Sequence, residues 1–317
     1  MISSLKIYIS DSFNVYENLA IERLLLDSVD ENTLILYLWQ NENTVVIGRN
    51  QNPWAECNCT LLQKEGGYLA RRLSGGGAVF HDKGNLNFTF LCHSENYNLA
   101  KQMKVIQDAC SLAGIETLLS GRNDILADGR KFSGNAFYNS RGKSYHHGTI
   151  MISADFDKMK RYLTPSEAKL SAKGIKSVRS RVVNLNALAP DLTSEKMKEH
   201  MISSFEKIYG MKSQPSYIDT NKIQALKEDF SSPDYLYKKT PPFSFTVRGK
   251  FSWGEIEIGL DVTDGIITEV QIFTDAMDWT LAQKTKDALT GCAFKKGDIE
   301  KVLSGDTKTD ILSLFEI

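Results

Sequence analysis

Arg72, Ser74 and His81 stand around three consecutive glycines in the run Arg71-Arg72-Leu73-Ser74-Gly75-Gly76-Gly77-Ala78-Val79-Phe80-His81-Asp82. Glycine has no Cβ, so its backbone can approach a ligand closely and accept φ > 0. Apolar residues lie on both sides, Tyr68-Leu69-Ala70 before and Ala78-Val79-Phe80 after. That pattern predicts a tight turn between two buried strands. A guanidinium, a hydroxyl, an imidazole and free backbone N–H groups at such a turn suit an anionic ligand. The same residues also allow a structural bulge whose arginines face solvent. Two nucleotide loops are excluded: no Gly-Lys-Ser/Thr follows the glycines, and a strand rather than a helix comes next.

A second group of polar residues lies in the stretch Gly121-Arg122-Asn123-Asp124-Ile125-Leu126-Ala127-Asp128-Gly129-Arg130-Lys131-Phe132-Ser133-Gly134-Asn135-Ala136. Strand alternation places Lys131, Ser133 and Asn135 on one face, with Phe132 and Gly134 on the other. His146-His147-Gly148-Thr149 follows a turn at Asn139-Ser140-Arg141-Gly142, in a register that brings His147 or Thr149 opposite Lys131. A lysine ammonium among small residues is a compact positive charge for a carboxylate or phosphate. Gly134 and Ala136 leave room beside it. A solvent-facing lysine and two structural histidines, His81 and His147, are the competing reading.

These residues need a sheet to hold them. Leu5 to Ile9 reads as a first strand, and Asn14-Val15-Tyr16-Glu17 opens a helix with Tyr16, Leu19, Ala20 and Leu24 on one face. Strands are expected at 34–39 and 45–47, on both sides of the glycines, and from Asn85 to Leu91 with Leu86, Phe88 and Phe90 sharing a face. A helix from Leu99 to Ala113 ends at Gly114. Strands at 124–127, 131–138 and 145–152 form a meander whose Asp128-Gly129 turn is a strong hairpin signal. From Leu163 to Arg181 periodicity fades while Lys169, Lys173, Lys176, Arg179 and Arg181 accumulate. A helix is expected from Thr193 to Tyr209. Pro241-Pro242 marks a domain seam, followed by strands at 251–262 and 266–273, the Asp264-Gly265 turn between them, and two or three short helices. The fold class is α+β, with a large mixed sheet first and a small αββα-like module last.

At 317 residues the chain is long enough for two domains. It is 42% hydrophobic and 24% charged with net charge −1, ordinary for a globular protein and without the global positive field that nucleic acid would need. No signal peptide or membrane span is recognised. The five cysteines are irregularly spaced, which points to reduced thiols. Cys57 and Cys59 lack the further ligands a zinc site requires.

With Arg71–Asn85, Gly121–Ala136, His146–Thr149, Lys173–Leu185 and Trp39–Glu56 as the matching segments, the chain resembles lipoate–protein ligases of the long bacterial type. The resemblance implies a catalytic domain at 1–243 with the mixed-sheet fold of biotin and lipoate protein ligases, and a small α+β accessory domain at 244–317. It implies adenylation of lipoate by MgATP to lipoyl-AMP, with release of pyrophosphate, then transfer of the lipoyl group to a lysine ε-amine. The implied partners are apo lipoyl domains of 2-oxoacid dehydrogenase E2 subunits and the glycine-cleavage H protein, met by a cytoplasmic monomer that binds neither nucleic acid nor membrane. Lys131 matches the active-site lysine that contacts both the lipoate carboxyl and the AMP phosphate. Arg72, Ser74, Gly75, Gly76, Gly77, Ala78, His81 and Asn85 match the lipoate side of the site, with Ser133, Gly134, Ala136, His147, Gly148 and Thr149. Val79, Phe80, Asn123, Asp124, Lys173, Ser177, Val178, Arg179 and Arg181 match the nucleotide side, and Asp124 the Mg²⁺ position. Lys173 to Arg181 matches a loop that closes over the adenylate; a solvated basic surface is its plainer reading. Phe132 and Asn135 are substitutions with no evident interpretation.

Three rivals share this fold or ligand; one, a biotin ligase, would carry a G-R-G-R-x loop, which Ser74-Gly75-Gly76-Gly77 is not. An octanoyl or lipoyl transferase working through a cysteine thioester would need no ATP, but no cysteine falls in the glycine, Lys131 or His147 segments. A non-catalytic lipoate-binding protein would not need Lys131 and the basic loop.

Overall fold

The structure, a computed structural model, describes residues 2–121, 123–163, 181–237, 245–263 and 265–315. Its strands in chain order are β1 (Ser4–Ile9), β2 (Thr33–Trp39), β3 (Thr44–Ile47), β4 (Tyr68–Arg71), β5 (Val79–His81), β6 (Asn85–His93), β7 (Leu118–Ser120), β8 (Asp124–Ala127), β9 (Arg130–Ser140), β10 (Lys143–Met151), β11 (Ser213–Pro215), β12 (Phe245–Phe251), β13 (Gly254–Thr263) and β14 (Ile266–Thr274). After its first residue β2 is wholly apolar, and a strand buried on both faces belongs inside a sheet. It lies within an eight-stranded mixed sheet of order β11-β1-β2-β6-β10-β9-β8-β7.

Alternation along β2 builds the two layers around that sheet. Leu34, Leu36 and Leu38 join Leu86, Phe88 and Phe90 of β6 on one face, under helices Leu99–Leu112 and Ser194–Tyr209. Ile35, Tyr37 and Trp39 face the other way, toward helix α1 (Val15–Ser28). Asn14 caps α1 as expected, its side chain accepting from the Tyr16 and Glu17 N–H groups. The buried stripe differs from the expected one. Leu24 is only partly buried, whereas Asn18, Leu19, Glu22 and Leu26 are buried, so a carboxylate occupies an inward position.

The glycine run is not a hairpin turn. β4 and β5 do not pair with each other; both pair with β3, which lies between them in a separate three-stranded sheet. Residues 72–78 therefore cross over the end of β3. The crossing is tight at Gly48, where a Cβ would sit 2.1 Å from the Gly76 carbonyl oxygen. Gly76 itself has φ +88°, in the region that favours glycine. Arg71, fully buried, anchors the loop from behind. Its guanidinium donates to the carbonyls of Gly48, Arg49, Gln51, Tyr235 and Leu236.

The Asp128-Gly129 hairpin forms as expected, with φ 50° and 67° at the two turn residues. The alternation beyond it does not. Leu126 pairs with Lys131 and Ile125 with Ser133, so Phe132 is an extra residue, a β-bulge. Phe132 and Ser133 both turn from the cavity side, and Lys131 shares a face with Gly134 instead of Ser133. The hairpin register also differs from expectation. His147 pairs with Ala136, not Lys131.

The last unit is a three-stranded antiparallel sheet, β12-β13-β14, packed on helices Leu281–Leu289, Lys296–Val302 and Lys308–Leu312 around its own core. The expected strand beginning at Phe251 is two strands; Phe251 ends β12, and Gly254 begins β13. The expected αββα-like module thus has three strands and starts with one. Pro241-Pro242 lies outside the described residues. Among the described residues, no helix is long and apolar enough to cross a membrane.

Candidate active site

The inner layer between α1, β6, β9, β10 and the small β3–β5 sheet encloses a cavity of about 120 Å³. The glycine crossing supplies Arg72, Gly76, Gly77, Ala78, Val79 and His81 to its wall. The meander supplies Asn123, Lys131, Gly134, Asn135, Ala136, His147, Gly148 and Thr149. Two segments distant in sequence thus meet at one site. Leu19 of α1, Trp39, Val46 and Asn87 complete the wall. Asn87 and Leu19 carried no motif; their signal is position on the α1-facing side of the sheet and helix.

The bulge aims Lys131. Its backbone is clamped on both sides, its N–H donating to the Arg181 carbonyl at 2.9 Å and its carbonyl accepting from Val183 at 3.0 Å. Its side chain folds over Gly134, where a Cβ would meet Nζ at 2.9 Å. Nζ is 2.7 Å from the Asp124 carboxylate, and both side chains are about one-third exposed. An ammonium so placed reaches the cavity yet keeps a solvated counter-charge.

Arg72 is buried and does a different job. Its guanidinium donates to Gly75 and Gly77 carbonyls at 2.7 and 2.8 Å, to Val46 O at 3.2 Å and to Ser74 Oγ at 3.0 Å. It therefore shapes the glycine loop from within. Burial lowers it to about 10, opposed by Tyr145 and Glu22. His81 is pushed down to about 3, first by burial and then by Arg72 and His147, so it is a neutral imidazole. Asn41 faces its Nδ1 at 3.1 Å.

The remaining expected residues lie behind the wall. Ser74 is fully buried and hydrogen-bonds His147 Nε2 at 2.8 Å. Gly75 packs where a Cβ would meet the Ala276 carbonyl at 2.3 Å. Phe80 turns into the small-sheet core against Tyr162. Asn85 donates to Asn87 Oδ1 at 2.9 Å. Ser133 meets the Asn135 Nδ2 at 3.4 Å on the far face, where the side chain of Asn135, a residue that also lines the cavity, accepts from His146 at 2.8 Å. Arg181 meets Lys131 through its backbone. Lys173, Ser177, Val178 and Arg179 lie outside the described residues. All five cysteines are buried and free, and none lines the cavity.

The C-terminal unit touches the rim. The Ala276 carbonyl accepts from the Gly76 N–H at 3.1 Å, and Met277 Sδ lies 3.9 Å from Asn123 Nδ2. Trp279 packs on Tyr138 at 4.9 Å and under the Arg49 guanidinium at 4.7 Å.

Comparison with known proteins agrees with this architecture. Residues 14–206 match the family model of the lipoyl protein ligase A/B catalytic domain, and residues 240–316 that of the bacterial lipoate protein ligase C-terminus. Lipoate-protein ligase A of Bdellovibrio bacteriovorus is 39% identical over 309 residues, covering 94% of this chain and 91% of that one. Lipoate-protein ligase A of Blochmanniella pennsylvanica is 37% identical over 307 residues, covering 93% and 91%. Among solved structures, P. falciparum LipL1 in complex with lipoate superposes with a TM-score of 0.86 at 30% identity, covering 98% of both chains.

Proposed function

Because this chain belongs to the lipoate–protein ligase family and is an enzyme of that kind, we propose that it adenylates lipoate and then transfers the lipoyl group to a carrier lysine. In the first step a lipoate carboxylate oxygen bonds to the α-phosphorus of ATP, and pyrophosphate leaves. In the second, a lysine ε-amine attacks the acyl carbon, loses a proton, and AMP leaves. The observation that carries this reading is the convergence of Lys131 and the Arg72-built glycine loop on one cavity. Lys131 stands where a carboxylate and a phosphate must be brought together against their mutual repulsion, and where negative charge grows on phosphorus oxygens. His81, neutral near pH 7, adds no charge but offers a ring nitrogen to the wall. Lipoate bound to P. falciparum LipL1 supports lipoate as the ligand here.

In this reading residues 1–243 carry the chemistry and residues 244–317 form the accessory unit. Arg72, Gly76, Gly77, Ala78, His147 and Thr149 enclose the lipoyl end, and Asn123, Asp124 and Lys131 face the phosphate. Mg²⁺ is ordinarily held by one or two carboxylates together with substrate phosphates, and Asp124, half-open to solvent, fits that demand once Lys131 turns to the ligand. Lys173 to Arg181 is assigned to the phosphate on its family resemblance and its positive charge. Carriers of the E2 lipoyl-domain and H-protein class are the proposed acceptors. Lipoate-dependent pyrophosphate release before any carrier is added tests the first step. No release without carrier would overturn the two-step order.

Gly134→Ala gives a local check on Lys131. The new methyl group would meet the end of a flexible side chain, not backbone, so the ammonium moves and the fold stays. Turnover should fall about tenfold or more while the melting temperature changes little. Unchanged turnover would mean that the position of Lys131 over Gly134 is not the working one.

A further inference from the structure

Glu22 belongs to no motif, yet it is a buried carboxylate, 2% exposed, on the inward face of α1. Two hydrogen-bond chains end on its Oε1. His147 Nδ1 lies at 2.9 Å and Thr89 Oγ1 at 2.8 Å. Beyond His147, Nε2 faces Ser74 Oγ at 2.8 Å, and Ser74 Oγ faces Arg72 Nε at 3.0 Å. Beyond Thr89, the hydroxyl accepts from Trp39 Nε1 at 3.1 Å.

Donor and acceptor chemistry gives these chains one direction. A carboxylate only accepts, so His147 Nδ1 carries the ring proton. In the neutral ring Nε2 is then an acceptor and takes the Ser74 hydroxyl proton. The Ser74 oxygen is left to accept from Arg72, which can only donate. Arg72, Trp39 and His147 all line the cavity, whereas Glu22 does not. The Ser74, His147 and Glu22 order resembles a hydrolytic triad. However, Ser74 is fully enclosed, off the cavity wall, and already an acceptor for a guanidinium.

We infer that Glu22 is a positioning residue, which fixes the His147 tautomer and through Ser74 and Thr89 orients Arg72 and Trp39 around the ligand. If Glu22 is removed, the ring proton is free to move to Nε2. Ser74 must then turn its own hydroxyl proton elsewhere, and the Gly75 carbonyl, 3.5 Å away, is the acceptor at hand. That carbonyl is also held by Arg72. The two donors would compete, and the glycine loop would lose its set shape.

The inference rests on the proposed lipoate site for its binding readout but not for its proton readout. The experiment is ¹⁵N NMR of the histidine rings, with His147 assigned by loss of signal in His147→Gln, together with calorimetry using lipoate. Wild-type protein should show His147 protonated at Nδ1. Glu22→Ala should move that proton toward Nε2 and weaken lipoate about tenfold or more. Glu22→Gln keeps an oxygen acceptor but loses the charge, so the Nδ1 proton should stay, shift toward a weaker hydrogen bond, and lipoate affinity should fall less. Thr89→Val should leave the His147 proton where it is. Should Glu22→Ala fail to fold, Glu22→Gln decides alone. An unmoved His147 resonance, or lipoate affinity within twofold of wild type in every folded Glu22 variant, would overturn the inference. If wild-type protein does not bind lipoate, the proposed function falls, and the ring proton alone decides the role of Glu22.

Discussion

Lys131→Ala should lower turnover by about 10²–10³ while leaving the protein folded. The kinetic loss is large because a cation near a developing phosphoryl charge acts mainly in the transition state. The structural loss is small because Lys131 makes one half-exposed ion pair, with Asp124, and such pairs contribute about 0–1 kcal/mol. For a chain of this size that corresponds to a melting shift of about 4 °C or less. Asp124 remains solvated without its partner. Separate assays of pyrophosphate release and of lipoyl transfer from supplied lipoyl-AMP would show which step carries the loss. Near wild-type rates in both would remove Lys131 from the chemistry.

Acid should destabilise the protein well above the usual carboxylate range. His81 and His146 are both buried neutral and both held down to about 3, chiefly by burial, with Arg72 and His147 adding to His81 and His147 to His146. In the unfolded chain each titrates near 6.5. Between those values the unfolded state binds protons that the native state refuses, so stability falls as pH falls through 6.5 toward 3. At pH 5 each ring should already cost about 2 kcal/mol, and the slope for the pair approaches about 2.7 kcal/mol per pH unit. That is a large part of a typical domain's stability, about 5–15 kcal/mol. Glu206, lowered to about 2 by Lys212 and Ser213, acts in the same direction but only below its unfolded value of 4.5. Urea denaturation between pH 7.5 and 5 therefore reports mainly on the rings. His146→Gln, placed between the Gln102 and Asn135 amides, should halve the slope. An unchanged slope would show that His146 takes up its proton while folded.

The sequence announced the elements whose signals are local. Asn14 caps α1, Asp128-Gly129 turns a hairpin, Gly210 ends helix Ser194–Tyr209 in a left-handed conformation, and Leu86, Phe88 and Phe90 share a face. It failed where a single residue shifts register. The Phe132 bulge is invisible to period-two counting, because alternation assumes every residue pairs, yet it turns Lys131 onto the cavity side. Strand order was hidden for a similar reason. Nothing local in β4 and β5 says that β3 lies between them, so the glycines looked like a hairpin turn when they are a crossing. β12 was missed because Phe245–Phe251 is an edge strand, mostly exposed and carrying Arg248 and Lys250. Glu22 was the most informative residue overlooked. A carboxylate between Leu19 and Leu26 on the buried stripe of a helix is out of place unless something polar meets it, and what meets it is the back of the site.

In the proposed reaction, activation consumes ATP before acyl transfer. This claim is tested most directly by incubating the protein with an apo lipoyl domain and weighing the carrier, in one arm with lipoate with and without MgATP, in the other with an octanoyl or lipoyl thioester donor and no ATP. We expect one lipoyl group added to a carrier lysine with MgATP present, matched by one pyrophosphate released, and no addition without it. Equal modification of the carrier without ATP, from an octanoyl or lipoyl thioester donor, would contradict the claim and assign the site to thioester-dependent transfer.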